Sequence, residues 1–154
     1  MERSLRLFLT GSLCLMAFAC IKPVYYEKYQ TIDTPWDKNT SYFFTCEMED
    51  LSASYNLSVQ IRNNNLYPFQ NLWLFFAQEQ PNGTIVRDTV ECILADGYGK
   101  WTGSGISVYH LTIPIRSNYN FPQKGSYIFT IRQGMRVDQL KGIQQLGLRI
   151  EKNN

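Results

Sequence analysis

The sequence predicts an all-β chain folded as a single β-sandwich of about eight strands, jelly-roll-like or immunoglobulin-like. Three observations carry that prediction. Apolar and polar residues alternate with period two in segment after segment, and no helix-period stretch of convincing length interrupts them. Turn residues break the pattern about every eight to twelve positions, the spacing of short antiparallel strands. The aromatic fraction is 14%, with ten Tyr and nine Phe, side chains that fit a pleated, half-buried surface. A length of 154 residues suits one domain, and 44% hydrophobic against 18% charged residues is enough to bury a core.

In chain order, strands are expected near Val24–Ile32, Ser41–Met48, Tyr55–Arg62, Asn71–Gln80, Thr84–Leu94, Ile106–Ile113, Ser126–Gln133 and Gln144–Glu151. Asn82-Gly83 between the fourth and fifth is the strongest short hairpin signal. Pro35, Pro68, Pro114 and Pro122 fall at strand ends or loops, where no ladder donor is lost. In "IRNNNLYPFQNLWLFF" the residues Leu57, Val59 and Ile61 lead into an Asn63–Asn65 turn. The following "NLWLFFAQ" is apolar on nearly both faces, as expected of a central covered strand. The segment "GMRVDQLKGIQQ" is the least strand-like and is expected to hold a short helical turn.

The first twenty residues differ from the rest. Arg3 and Arg6 precede the apolar run "LFLTGSLCLMAFA", which fits a secretory h-region but is shorter than the roughly 20 residues of a membrane span. A small residue, Ala19, stands directly before Cys20, as in a bacterial lipobox, although Phe18 is imperfect there. The division expected is a lipoprotein signal peptide over 1–19, a lipidated Cys20 opening an anchor and tether over 20–30, and the sandwich over 31–154. Each buried acyl CH₂ contributes about 0.8 kcal/mol, so several chains hold a domain at a membrane without a spanning helix. No acidic run follows Cys20, which points to an outer-membrane lipoprotein facing the periplasm. Alternation turns Cys46 and Cys92 inward from their strands, where they are either a disulfide or two buried thiols.

Chemistry is sparse. The balance of 15 basic and 13 acidic residues, net +2, gives no basis for nucleic-acid binding. The one histidine, His110, sits within a strand, and no nucleophile elbow, zinc-ligand spacing or phosphate-cradling loop occurs. The chain is therefore expected to be no enzyme and to use no cofactor or metal. The loop "ADGYGKWTGSG" is unusual, with four Gly, Asp96, Tyr98, Lys100 and Trp101. Trp101 either folds back to cap the core or stands exposed as an anchor for a partner or a platform for a sugar ring. Trp36 in "DTPWDKNT" carries the same two readings.

The segments "YNLSVQIRNNNLYPFQNLWLFF", "PNGTIVRDTVECILADGYGKWTGSG", "YIFTIRQGMR" and "GLRIEK" resemble the gliding motility lipoprotein GldH family of Bacteroidota. The resemblance runs from about Tyr29 to Lys152 and places Cys20 where that family's lipid attachment site is expected. It implies a lipid-anchored envelope protein needed for surface gliding in motile members, and it carries over no catalytic residues. The function expected is non-catalytic docking onto other envelope proteins through Asp96, Tyr98, Lys100 and Trp101, with Trp36 as a further contact. The alternative is a glycan-binding module at the outer membrane using Trp36, Tyr98 and Trp101.

Overall fold

The computed structural model describes residues 23–153, so the signal segment 1–19 and Cys20 lie outside the described residues. The strands are β1 (Val24–Thr31), β2 (Trp36–Asp37), β3 (Ser41–Met48), β4 (Tyr55–Asn64), β5 (Asn71–Glu79) and β6 (Ile85–Ile93). They continue as β7 (Ser104–Gly105), β8 (Val108–Tyr119), β9 (Gly125–Gln133), β10 (Gln139–Leu140) and β11 (Ile143–Lys152). Two antiparallel sheets, β1-β11-β4-β8-β7 and β3-β9-β5-β6, face each other, and β2 and β10 form a small separate pair.

Setting aside the three two-residue strands leaves eight long ones, whose order in the sheets reads 1-8-3-6 and 2-7-4-5. That is the jelly-roll connectivity of two Greek keys. Except for the β5–β6 hairpin, each long strand crosses to the opposite sheet from its predecessor. An immunoglobulin-like order, whose first two strands share a sheet, is excluded. The hairpin forms where Asn82-Gly83 allows it: Gly83 has φ +82°, and Gln80 N–H donates to the Thr84 carbonyl at 2.8 Å.

The core lies between the two sheets. Leu57, Val59 and Ile61 of β4 and Leu146, Leu148 and Ile150 of β11 meet Phe44, Leu72, Leu74, Phe76, Phe129 and Ile131. Ser58 and Gln60, on the opposite face of β4, are buried as well. The Tyr29 ring covers them by lying over Gly147, where a Cβ would come within 2.7 Å of it. Gln60 Oε1 accepts from Thr112 Oγ1 at 2.7 Å and lies 2.8 Å from His110 Nε2. His110 is thus a strand residue with a partner, and burial, then the Arg62 charge, lowers its pKa.

Several expectations change. Residues 24–30, counted above in the tether, lie in β1, which pairs along its length with β11 and falls within the expected strand Val24–Ile32. Asn63 and Asn64 belong to β4, so the turn starts later. "GMRVDQLKGIQQ" is extended and contains β10, and no helix occurs among the described residues. Pro114 sits inside β8, which a register shift beside Ser58 tolerates on an edge with no further strand there. The outer face of β5 is open, with Trp73 and Phe75 exposed, because among the described residues no further layer covers the far side of the four-stranded sheet.

Cys46 and Cys92 are free thiols. They sit on β3 and β6, opposite edges of the four-stranded sheet, with β9 and β5 between them. Three strand spacings amount to about 14 Å, twice what a disulfide bridges. Burial raises Cys46 to about 11 and Cys92 to about 12. Neither should react with an aromatic disulfide reagent in the folded protein at mildly alkaline pH, and both should react once denaturant is added, as read from released thiolate absorbance.

Candidate functional site

Strand register places the ends of the sandwich. Val24, Glu151, Tyr55 and Tyr119 align at one end, and Thr31, Ile143, Asn64 and Val108 at the other. The chain enters at the first end. The Asn65–Gln70 connection and the Ala95–Gly105 loop are both at the opposite end, and the structure joins them.

Asp96 closes the loop as a small hairpin. Its Oδ1 accepts the N–H groups of Tyr98 at 2.9 Å and Lys100 at 3.0 Å, and its own N–H donates to the Lys100 carbonyl at 2.9 Å. The Asp96 carboxylate is therefore spent on the turn. Gly99 turns at φ +80°. Ala95 bridges Trp101, and the Ala95 N–H and the Leu94 N–H both donate to the Gln70 carbonyl.

Trp101 folds back. Its Nε1–H donates to Asn65 Oδ1 at 2.8 Å, and its ring packs between Tyr67 and Tyr109 at 6.4 and 5.6 Å. Tyr67 is itself buried and donates its hydroxyl to the Asn71 carbonyl at 2.6 Å. The asparagine stretch thus builds the loop's seat. What remains in solvent is Tyr98 at 99% exposure, Ile106 at 91% and Leu66 at 68%, with Lys100 also exposed. Leu66 and Ile106 were not legible as contacts, since single apolar residues in loops are common and only the fold gathers them.

Trp36 is 0% exposed: its ring meets Tyr42 edge-on at 5.5 Å and its Nε1–H donates to the Thr40 carbonyl at 3.0 Å. It belongs to the core, not to a contact surface. Trp36, Tyr98 and Trp101 therefore do not form a shared sugar platform. A separate shallow depression of about 490 Å³ lies on the open face of the four-stranded sheet, lined by Phe75, Ala77, Ile85, Arg87, Thr130 and Arg132. The Arg132 guanidinium lies 5.3 Å over the Phe75 ring.

The fold and this end together define a jelly-roll domain that presents a partly apolar loop surface away from its point of chain entry. The family model described as GldH lipoprotein matches residues 24–150, and the chain belongs to that family. It is 32% identical over 148 residues to the gliding motility lipoprotein GldH of Flavobacterium johnsoniae, covering 91% of this chain and 92% of that one. It is 30% identical over 162 residues to a gliding motility lipoprotein GldH homolog of Christiangramia forsetii, covering 100% and 99%. Among solved structures, a family 35 carbohydrate binding module from Clostridium thermocellum superposes with TM-score 0.37 at 13% identity, covering 81% of this chain and 88% of that one. Dimeric latent PorU from Porphyromonas gingivalis gives TM-score 0.36 at 7% identity, covering 89% and 14%. Superpositions this loose carry no functional argument.

Proposed function

We propose that the chain is a non-catalytic, lipid-anchored component of a gliding-motility or related envelope assembly, docking onto other envelope proteins through its loop end. Cys20 carries the lipid after residues 1–19 are removed, and the outer membrane's periplasmic face is its location. Family membership supports the envelope and motility role. The observation that carries the docking reading is the exposure of Tyr98, Ile106 and Leu66 at the end opposite the tether. Four residues from Cys20 to Val24 can reach at most about 14 Å at roughly 3.5 Å per residue, so a lipid on Cys20 would keep the domain close to the membrane while this end remains free.

The test is a photo-crosslinking amino acid placed at position 98 in the full chain, in the envelope of a gliding host, with position 124, exposed at the end where the chain enters, as the control. A discrete adduct from 98 and none from 124 is expected. No adduct from 98, or from 66 and 106, would overturn docking through this end. Tyr98→Ala should leave the unfolding free energy within about 0.5 kcal/mol of wild type, because a fully exposed side chain stabilises little, yet reduce partner recovery.

A further inference from the structure

The sandwich has four sheet edges, and three are blunted. β3 is covered by side chains of β1: Gln30 donates to the Phe43 carbonyl, and Tyr25 donates to the Glu47 carbonyl at 3.0 Å. β1 carries a register shift between Val24 and Tyr26, and β8 contains Pro114 and is paired at one end by β7. Among the described residues, β6 is touched along its open edge only at the end, where Thr102 Oγ1–H donates to the Ile93 carbonyl. It runs nine residues, Ile85–Ile93, without proline or bulge.

The parity of its free groups follows from the hydrogen bonds flanking the β5–β6 ladder. Gln80 N–H donates to the Thr84 carbonyl and Leu94 N–H to the Gln70 carbonyl, both at 2.8 Å. In the same register, the even-numbered residues of β6 bond to β5. Ile85, Arg87, Thr89, Glu91 and Ile93 therefore turn their backbone groups to the open edge. Their side chains share the outer face of the sheet, where Ile85 and Ile93 are 42% and 50% exposed.

This series reads apolar, basic, polar, acidic, apolar, and it is its own complement when reversed. We propose that β6 pairs antiparallel with β6 of a second copy about a two-fold axis through Thr89, joining two four-stranded sheets into one continuous sheet. In that register Arg87 faces the second copy's Glu91, Ile85 faces its Ile93, and Thr89 faces its counterpart. The Thr89 pair and the two Arg87–Glu91 pairs are hydrogen-bonded pairs by the parity just given. A shift of the axis to Arg87 sets Arg87 against Arg87, and a shift to Glu91 sets Glu91 against Glu91. Neither Arg87 nor Glu91 has an ion-pair partner among the described residues, whereas Asp88 on the inner face pairs with Arg116 at 2.8 Å. Thr102 Oγ1–H donates to the Ile93 carbonyl at 3.0 Å and marks where the ladder ends.

A single strand pair makes a weak interface in free solution. Two copies held on one membrane surface gain effective concentration, so a weak edge suffices there. The two-fold axis is normal to the sheets, so both tethers reach one bilayer when the sheets lie parallel to it. This inference stands apart from the docking reading, which concerns a different end of the domain.

The test is Thr89→Cys in the full chain in membranes, treated with a mild oxidant. Paired Cα atoms at such a site lie about 5.5 Å apart, inside the roughly 4.4–6.8 Å range of a disulfide. The native Cys46 and Cys92 are buried and do not compete. A covalent dimer is expected from Thr89→Cys and not from Arg136→Cys. Adding Arg87→Glu should cut its yield about tenfold, and the double exchange Arg87→Glu with Glu91→Arg should restore it. Arg87 and Glu91 are exposed, so thermal melting of each variant should match wild type. No dimer from Thr89→Cys, or a dimer that the charge reversal leaves unchanged, overturns the proposal.

Discussion

Trp36→Ala is expected to cost about 3–5 kcal/mol, a large part of the roughly 5–15 kcal/mol that holds a domain folded. The side chain is 0% exposed, so truncation leaves a cavity in a site bounded by backbone on several sides. Trp36 pairs with Leu140 in the small β2–β10 sheet, and its neighbour Lys38 N–H donates to the Asp138 carbonyl at 2.9 Å. That sheet holds its segments against the core, so collapse around a missing indole would have to move both strands. Trp36→Phe separates packing from hydrogen bonding. It keeps most of the buried area but leaves the Thr40 carbonyl without the indole N–H, which should cost about 1–3 kcal/mol. Urea unfolding followed by far-ultraviolet dichroism checks both, with an unchanged denaturant slope showing that only stability has moved. An Ala variant within 1 kcal/mol of wild type, on the roughly 1 kcal/mol scale of an average substitution, would show that Trp36 is not a core residue.

β3 and β9 were legible because one face of each is buried and the alternation is therefore regular, whereas β8, with no fully buried face, was expected to end at Ile113 and runs on to Tyr119. In β3 the sequence Tyr42, Phe44, Cys46, Met48 is wholly inward, and the expected bounds Ser41–Met48 are the observed ones. Legibility failed where burial comes from a partner that local sequence does not show. Gln60 reads as solvent-facing from its own strand, and it is buried by partners from elsewhere, the Tyr29 ring over Gly147 and the His110 and Thr112 side chains of β8. β5 reads as covered on both faces because Trp73 and Phe75 are apolar, yet its outer face is open. The choice between jelly roll and immunoglobulin order was equally hidden, since both consist of similar strands and differ in which of them pair.

The site was legible in part for a related reason. The glycines and Asp96 mark out Ala95–Gly105 in the sequence, and in the fold Asp96 closes it as a small hairpin. The role of Trp101 depended on Asn65, 36 residues earlier, whose Oδ1 receives the indole N–H. Nothing in the asparagine run announces that bond. Within the loop Trp101 and Asp96 hold the shape, while the Tyr98 side chain is left in solvent.

Gly142→Ala and Gly99→Ala should diverge although both glycines have nearly the same backbone, φ +88° and +80°. At Gly99 a Cβ would meet nothing within 4 Å, so the cost is the left-handed conformation alone, about 1 kcal/mol. At Gly142 the Cβ would lie 2.2 Å from Tyr67 N and 2.5 Å from Tyr67 Cα, and backbone must move to admit it. The expected cost is roughly 3–4 kcal/mol, combining the conformational strain with displacement of a packed turn. The displacement has a defined direction of effect. The Gly142 carbonyl accepts the Asn64 N–H at 2.9 Å, and Tyr67 packs on Trp101, so the seat of the loop shifts with it. Gly142→Ala should therefore alter the Trp101 indole N–H resonance, while Gly99→Ala leaves it in place. Equal losses of stability from the two substitutions would show that Tyr67 yields freely, and that the loop end is not braced by the turn beneath it.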